Sequence, residues 1–158
     1  MVVPVPGTHA RRVLHGALHM QSGDVLLCST ETWDHTTHQV FLHMIRAPWR
    51  GWQIVLLEDR GAPHTAAASR RLAKALPMAL RFLPTATPEC NALDHRWRYV
   101  QGRVLAHRPV ASLDTAADQA CQAILALSRR ERLRKAGGLS GHFWLTAGSG
   151  TTDRGPGP

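Results

Sequence analysis

The chain has 158 residues, 44% of them hydrophobic, and carries 19 Lys and Arg against 11 Asp and Glu, a formal net charge of +8 with 10 histidines counted neutral. That length suits one domain with its own core, and that charge favours an anionic partner, nucleic acid above all. No apolar run approaches the roughly 18 residues of a membrane span, "MVVPVPGTHARR" lacks the layout of a signal peptide, and Cys28, Cys90 and Cys121 form no CxxC pair, so neither a zinc ribbon nor a disulfide framework is suggested and a reducing compartment fits.

The first predicted elements form a β-hairpin. Residues Arg11–Met20 alternate, "QSGD" signals a turn, and Asp24–Ser29 return. In "THQVFLHMIRAPW", Val40, Phe41, Met44 and Ile45 make an apolar stripe at helical spacing, ended by Pro48. Gln53–Leu57 is apolar throughout, as in a strand covered on both faces. "HTAAASRRLAKAL" is a helix of strong formers stopped by Pro77, and "ALRFLP" is another short strand. "ATPECNALDHRWRYVQGRVLAH" leads through a loop into a long helix with Asn91 as its N-cap. A last helix opens at Ser112, carries Leu113, Ala117, Ala120, Ile124 and Leu127 on one face, breaks near Ser128 and stops at Gly137-Gly138. The tail "TAGSGTTDRGPGP" has nothing to anchor it and is expected to be disordered. A hairpin followed by β-α-β units predicts an α/β fold with a mixed sheet.

Chemistry concentrates in two stretches, "VLLEDRGAPH" and "LRFLPTATPECNALDHRW". The first ends an apolar strand in Glu58-Asp59 and reaches His64 through a tight loop. The second runs from Leu83-Pro84 through Pro88-Glu89 and Asn91 to Asp94 and Trp97. Together they resemble the catalytic domain of the mariner-like superfamily of DDE transposases, in particular its bacterial insertion-sequence branch. There an apolar strand is followed by Asp-Asn and a nearby His. A later strand ends in Leu-Pro, ahead of Ser-Pro-Glu-Leu-Asn-Pro, an apolar residue, Glu or Asp, and a Trp. Asp59 matches the second catalytic acid and Asp94 the third, with 34 residues between them. His64, Asn91 and Trp97 fall in register as supporting residues. Arg60 stands where the family usually has Asn, and Ala92 where it usually has Pro. The family's first catalytic Asp lies on a strand upstream of the hairpin, and so does its helix-turn-helix DNA-recognition module.

The resemblance implies a ribonuclease-H-like mixed sheet flanked by helices, N-terminally truncated so that the first central strand is missing. Residues 1–10 are then an irregular segment, 11–145 a partial catalytic domain and 146–158 the disordered tail. It implies a DNA endonuclease and strand transferase using Mg²⁺ or Mn²⁺, with Asp59 and Asp94 as catalytic and metal-binding acids. Two metal ions clamp the attacking and leaving oxygens in such chemistry, and they want hard oxygen ligands. Without the first acid this copy is expected to be inactive. The alternative is a non-catalytic basic module that binds DNA or a transposase. DNA is the expected partner, with a second copy or a longer transposase as protein partners, no membrane, and a bacterial cytoplasmic location at the nucleoid.

Simpler readings stand beside these. Asn91-Ala92-Leu93-Asp94 has capping-box spacing, which would explain Asp94 locally. Glu58 reads as a solvated strand-end charge. His64 reads equally as a loop-fixing hydrogen bonder or a neighbour of phosphate or metal. His35, His38 and His43 read as a surface cluster at a helix start. Arg129, Arg130, Arg132, Arg134 and Lys135 could track a DNA backbone or form a solvated basic helix end favoured by the helix dipole.

Overall fold

The computed structural model describes residues 11–85, 91 and 112–140, with the backbone of Val2–Pro4. In chain order the elements are strand β1 (Val2–Pro4), β2 (Arg11–Leu18), β3 (Val25–Thr30), helix α1 (His35–Arg46), β4 (Ile54–Glu58), α2 (Ala62–Thr65), α3 (Ala67–Ala75), β5 (Met78–Phe82), α4 (Leu113–Leu125) and α5 (Arg129–Lys135). The expected long helix around residues 92–107 and the tail lie outside the described residues.

Strands β2 and β3 pair antiparallel in the register Val13↔Thr30 to Leu18↔Val25, which is the expected hairpin. Its turn closes with His19 N–H donating to the Asp24 carbonyl at 2.8 Å. Gly23 takes φ +75° there, and a Cβ on it would lie 2.5 Å from the Arg129 carbonyl oxygen, so only glycine lets α5 approach the turn. Strands β4 and β5 pair parallel, from Ile54↔Met78 to Glu58↔Phe82, across the helical connection α2–α3.

One expectation needs correction at the N-terminus. Val2–Pro4 are a strand rather than part of an irregular segment, pairing antiparallel with β2 through Val2↔Val13, Val3↔Arg12 and Pro4↔Arg11. Pro4 closes a three-residue edge strand, a position where a missing ladder donor is tolerated. Among the described residues the strands form two sheets, β1-β2-β3 and β4-β5.

The period-two alternation of β2 splits the core into two layers. Ala17 packs with Phe41, Leu42 and Ile45 of α1, Ala73 of α3 and Met78 of β5, and partly buried Ile54, Leu56 and Leu80 join that cluster. Leu14 faces the other way, onto Ala117, Ala120 and Ile124 of α4. Helix α1 is rotated from the predicted stripe. Its buried residues are His38, Phe41, Leu42 and Ile45, spaced i, i+3, i+4, i+7, while Val40 is 57% exposed. Strand β4 is not covered on both faces either: Val55 is 63% exposed. The helix expected over "HTAAASRRLAKAL" also differs, since the backbone turns extended at Ala66 (ψ 137°) and divides it into α2 and α3.

Candidate active site

Asp59 leaves the C-terminal end of β4, where Leu83 N–H still donates to the Glu58 carbonyl at 2.8 Å. Carboxyl ends of parallel strands are where α/β sheets place ligand chemistry. The loop that follows is fixed bond by bond. Gly61 N–H donates to Asp59 Oδ1 at 2.8 Å, and His64 Nδ1 donates to the same oxygen at 2.7 Å. Arg60 Nε reaches the Leu83 carbonyl at 3.2 Å, tying the loop to the end of β5. Ser69 Oγ, fully buried, donates to the Pro63 carbonyl at 2.8 Å. Gly61 is needed for space: a Cβ there would lie 2.8 Å from the Trp33 ring and 3.0 Å from Asp59 Oδ1.

These contacts set the charges. The hydrogen bond from His64, above all, holds the Asp59 carboxyl below its ordinary range, with Gly61 N–H adding to it and partial burial opposing. For His64, burial works against the charged ring. The Asp59 hydrogen bond and the charges of Glu58 and Asp59 outweigh burial, and its pKa is raised. Each group therefore favours the charged form of the other. The Asp59 side chain is roughly half exposed.

A second pair lies directly behind. Alternation along β4 turns Glu58 to the same side as Ile54 and Leu56, the side that packs on α1. There His38 Nε2 donates to Glu58 Oε1 at 2.8 Å, with the two side chains only 1% and 9% exposed. The rings of His38 and His64 are 4.8 Å apart between centroids. Trp33 stands edge-on to His64 at 6.2 Å. Two acid–imidazole pairs therefore share one wall, built from α1, the end of β4 and α2.

Asp59 and His64, paired through local spacing, are brought together. Asn91 is partly buried; Asp94 and Trp97 lie outside the described residues. The basic group is divided. Arg129 Nε pairs with Asp24 Oδ1 at 2.8 Å, and Arg132 donates to the carbonyls of Ile124, Leu125 and Gly23. These two guanidiniums join α5 to α4 and the hairpin turn. Arg130 and Arg134 are exposed, and Lys135 is partly buried. His38 and Glu58 are the residues that sequence reasoning misassigned: neither is a solvated surface group. The signal was present in α1, where His38 begins the i, i+3, i+4, i+7 series and so belongs to the buried face.

A family described as DDE superfamily endonuclease matches residues 2–116. The structure is similar to the Mos1 transposase catalytic domain in a structure with raltegravir and Mg: TM-score 0.68, 16% identity, 86% of this chain and 73% of that one. It is similar to the chain of the Mos1 strand transfer complex, with TM-score 0.65, 18% identity, 85% of this chain and 41% of that one. A Mos1 mariner paired-end complex with Mn gives TM-score 0.65 and 17% identity over 85% of this chain and 42% of that one. At these identities the likeness establishes the fold, that of a ribonuclease-H-like transposase catalytic domain. No curated protein matches the chain.

Proposed function

The chain belongs to the DDE superfamily endonucleases, and from that premise we propose that Asp59 and Asp94 are two acids of a divalent-metal site for phosphoryl transfer on DNA. One observation carries this reading. Asp59 is an ionised, half-exposed carboxylate fixed at the C-terminal end of a parallel strand. Such a group offers the hard oxygen that Mg²⁺ or Mn²⁺ requires, so the donor fits the ion. When bound, the ion supplies Lewis-acid charge at the phosphoryl oxygens of the reacting strand. The chain's own part is orientation. His64 and Gly61 both take Oδ1, which fixes the carboxylate and leaves Oδ2 for a ligand. Asp94 joins it by family resemblance. The Mos1 structures with Mg, with Mn and in a strand transfer complex support the same ions and a DNA substrate for this chain.

The finer reading is an insertion-sequence transposase copy that works at the bacterial nucleoid and is inactive alone. What supports inactivity is the employment of most other acids among the described residues, exposed Asp118 on α4 excepted. Asp24 binds Ser22 and Arg129, Asp34 caps α1, Glu31 and Asp114 bind Arg12, and Glu131 binds Ser128. The alternative, a basic DNA-holding module, draws on the +8 charge and on exposed Arg130 and Arg134. No helix among the described residues is long and apolar enough to cross a membrane.

One experiment tests both. The purified chain is titrated with Mn²⁺ by electron paramagnetic resonance, then incubated with supercoiled plasmid at low and moderate salt. Weak Mn²⁺ binding is expected, lost in Asp59→Asn and in Asp94→Asn. DNA binding should fall steeply with salt, and no nicking should appear. Mn²⁺ binding indifferent to Asp59→Asn would remove the metal role, and wild-type nicking abolished by that substitution would overturn the inactive reading.

A further inference from the structure

Behind Asp59, His38, Glu58 and His64 each offer one ligand atom, and these atoms lie within 4.8 Å of one another. They come from three different elements: α1, β4 and α2. We propose that these three side chains form a binding site for a zinc-type divalent cation, distinct in donor chemistry from the oxygen site at Asp59. The site goes beyond the endonuclease reading and does not depend on it.

The donor set decides the class of ion. Two imidazoles and one carboxylate suit Zn²⁺ and its late first-row neighbours, whereas Mg²⁺ selects oxygen. Ligand distances of about 2.1 Å put tetrahedral donors roughly 3.4 Å apart. The three ligand atoms already lie within 4.8 Å of one another, so small side-chain movements would complete the geometry once His38 Nε2 gives up the proton it shares with Glu58. Three ligands leave one position for water or a further donor.

An independent observation points to the same ligand. His38 Nδ1 and Glu58 Oε2 are buried and have no hydrogen-bond partner. Glu58 Oε2 is an electron-pair donor beside the two rings, whereas His38 Nδ1 lies on the ring edge away from Glu58, which His38 faces with Nε2. Burying a carboxylate oxygen without a donor to meet it is unfavourable, and a cation held by Glu58, His38 Nε2 and His64 would satisfy it. His64 is prepared in the same sense. Its Nδ1 is held by Asp59 Oδ1 at 2.7 Å, which leaves Nε2 as the coordinating atom. A carboxylate bound to the far nitrogen of a ligating histidine is the usual support for such a site. The bound ion would clamp α1 to the end of β4 and to α2, directly behind the Asp59 carboxylate.

Untagged, chelator-stripped protein is titrated with Zn²⁺ by calorimetry and with Co²⁺ by visible absorption, with Mg²⁺ as control. One equivalent of Zn²⁺ is expected, together with the intense absorption of tetrahedral Co²⁺ and a melting temperature raised by Zn²⁺ and unmoved by equal Mg²⁺. His64→Gln and His38→Gln should each weaken Zn²⁺ by at least about tenfold, while His35→Gln and His43→Gln, both on exposed residues, leave it unchanged. Should His38→Gln not fold, as judged by circular dichroism, His64→Gln decides alone. Absence of stoichiometric Zn²⁺ binding, or loss through His35 or His43 instead, overturns the site. Mn²⁺ binding at Asp59 is read in parallel on the same variants. His38→Gln should leave it intact, so failure here and failure of the endonuclease reading are separately visible.

Discussion

His15 on β2 shows how one buried ring links the sheet to pH. It lies against Phe41, with ring centroids 5.6 Å apart, and shares a 2.9 Å hydrogen bond with Thr30 Oγ1. Burial, above all, pushes its pKa down to about 4. In the unfolded chain an ordinary histidine titrates near 6.5. Between those values the unfolded state binds more protons than the folded state, so stability rises with pH. The contribution is fully present above about 6.5 and is lost as pH falls towards 4; its upper bound is about 3 kcal/mol at ~1.4 kcal/mol per unit. Urea unfolding at pH 7 and pH 5 should therefore show a larger loss for the wild type than for His15→Gln. Equal losses would assign the acid sensitivity to other groups. The same scale separates what the sequence reveals from what it hides. Asp59 and His64 are five positions apart on one loop, so their pairing follows from local spacing. His38 and Glu58 are twenty apart on different elements, and only the packing of α1 over β4 brings them together.

At the scale of elements, helix α1 is fixed at its start. Asp34 Oδ1 accepts from Thr36 N–H and Thr37 N–H at 2.9 Å each, and Thr37 Oγ1 accepts from Asp34 N–H at 3.1 Å, a complete capping box. Removing such a cap costs about 1 kcal/mol, within a range of roughly 0.5–2. Asp34→Ala should lower the melting temperature by about 2–4 °C, by the scaling for a chain of this size, while Asp34→Ser should recover most of it. A loss in both variants alike would mean that the cap is not what Asp34 contributes. Element existence was legible from Arg11 onward, the division of α2 from α3 apart, because turn chemistry and breakers are local: "QSGD" for the hairpin, Pro48 and Pro77 near helix ends, Ser112 and Ser128 as caps. Facing was less legible. Val40 and Leu42 flank Phe41, and both are apolar; choosing Leu42 for the core requires knowing that polar His38 lies on the buried side. In β4, an unbroken apolar run suggested cover on both faces, yet Val55 is exposed. Periodicity cannot report an absent neighbour.

For the whole molecule, the consequence is an apolar margin along β4. The two sheets are separate among the described residues. A cavity of about 310 Å³ runs from Ala17 and Leu18 of β2 to Ile54 and Leu56 of β4, with Trp49 and Trp52 on its wall. Trp52 and Val55, at 69% and 63% exposure, are large apolar side chains beside a strand whose one ladder partner in this set is β5. An edge strand presents unpaired N–H and C=O groups that another chain can pair with, and apolar side chains beside it add a reason to associate. The net charge of +8 opposes association through repulsion, but salt screens that term over about 8–10 Å and leaves the short-range attraction intact. Self-association should therefore strengthen as salt rises, opposite to the trend for DNA binding. Sedimentation velocity at low and moderate salt, over a range of concentrations, reads this directly. Val55→Lys places a charge on the solvent side of the edge, a substitution that blocks edge pairing at little cost to the core. It should return the protein to monomer at concentrations where the wild type associates, with the melting transition nearly unchanged. A wild type that stays monomeric at both salt concentrations would mean that the β4 margin is closed within the chain itself.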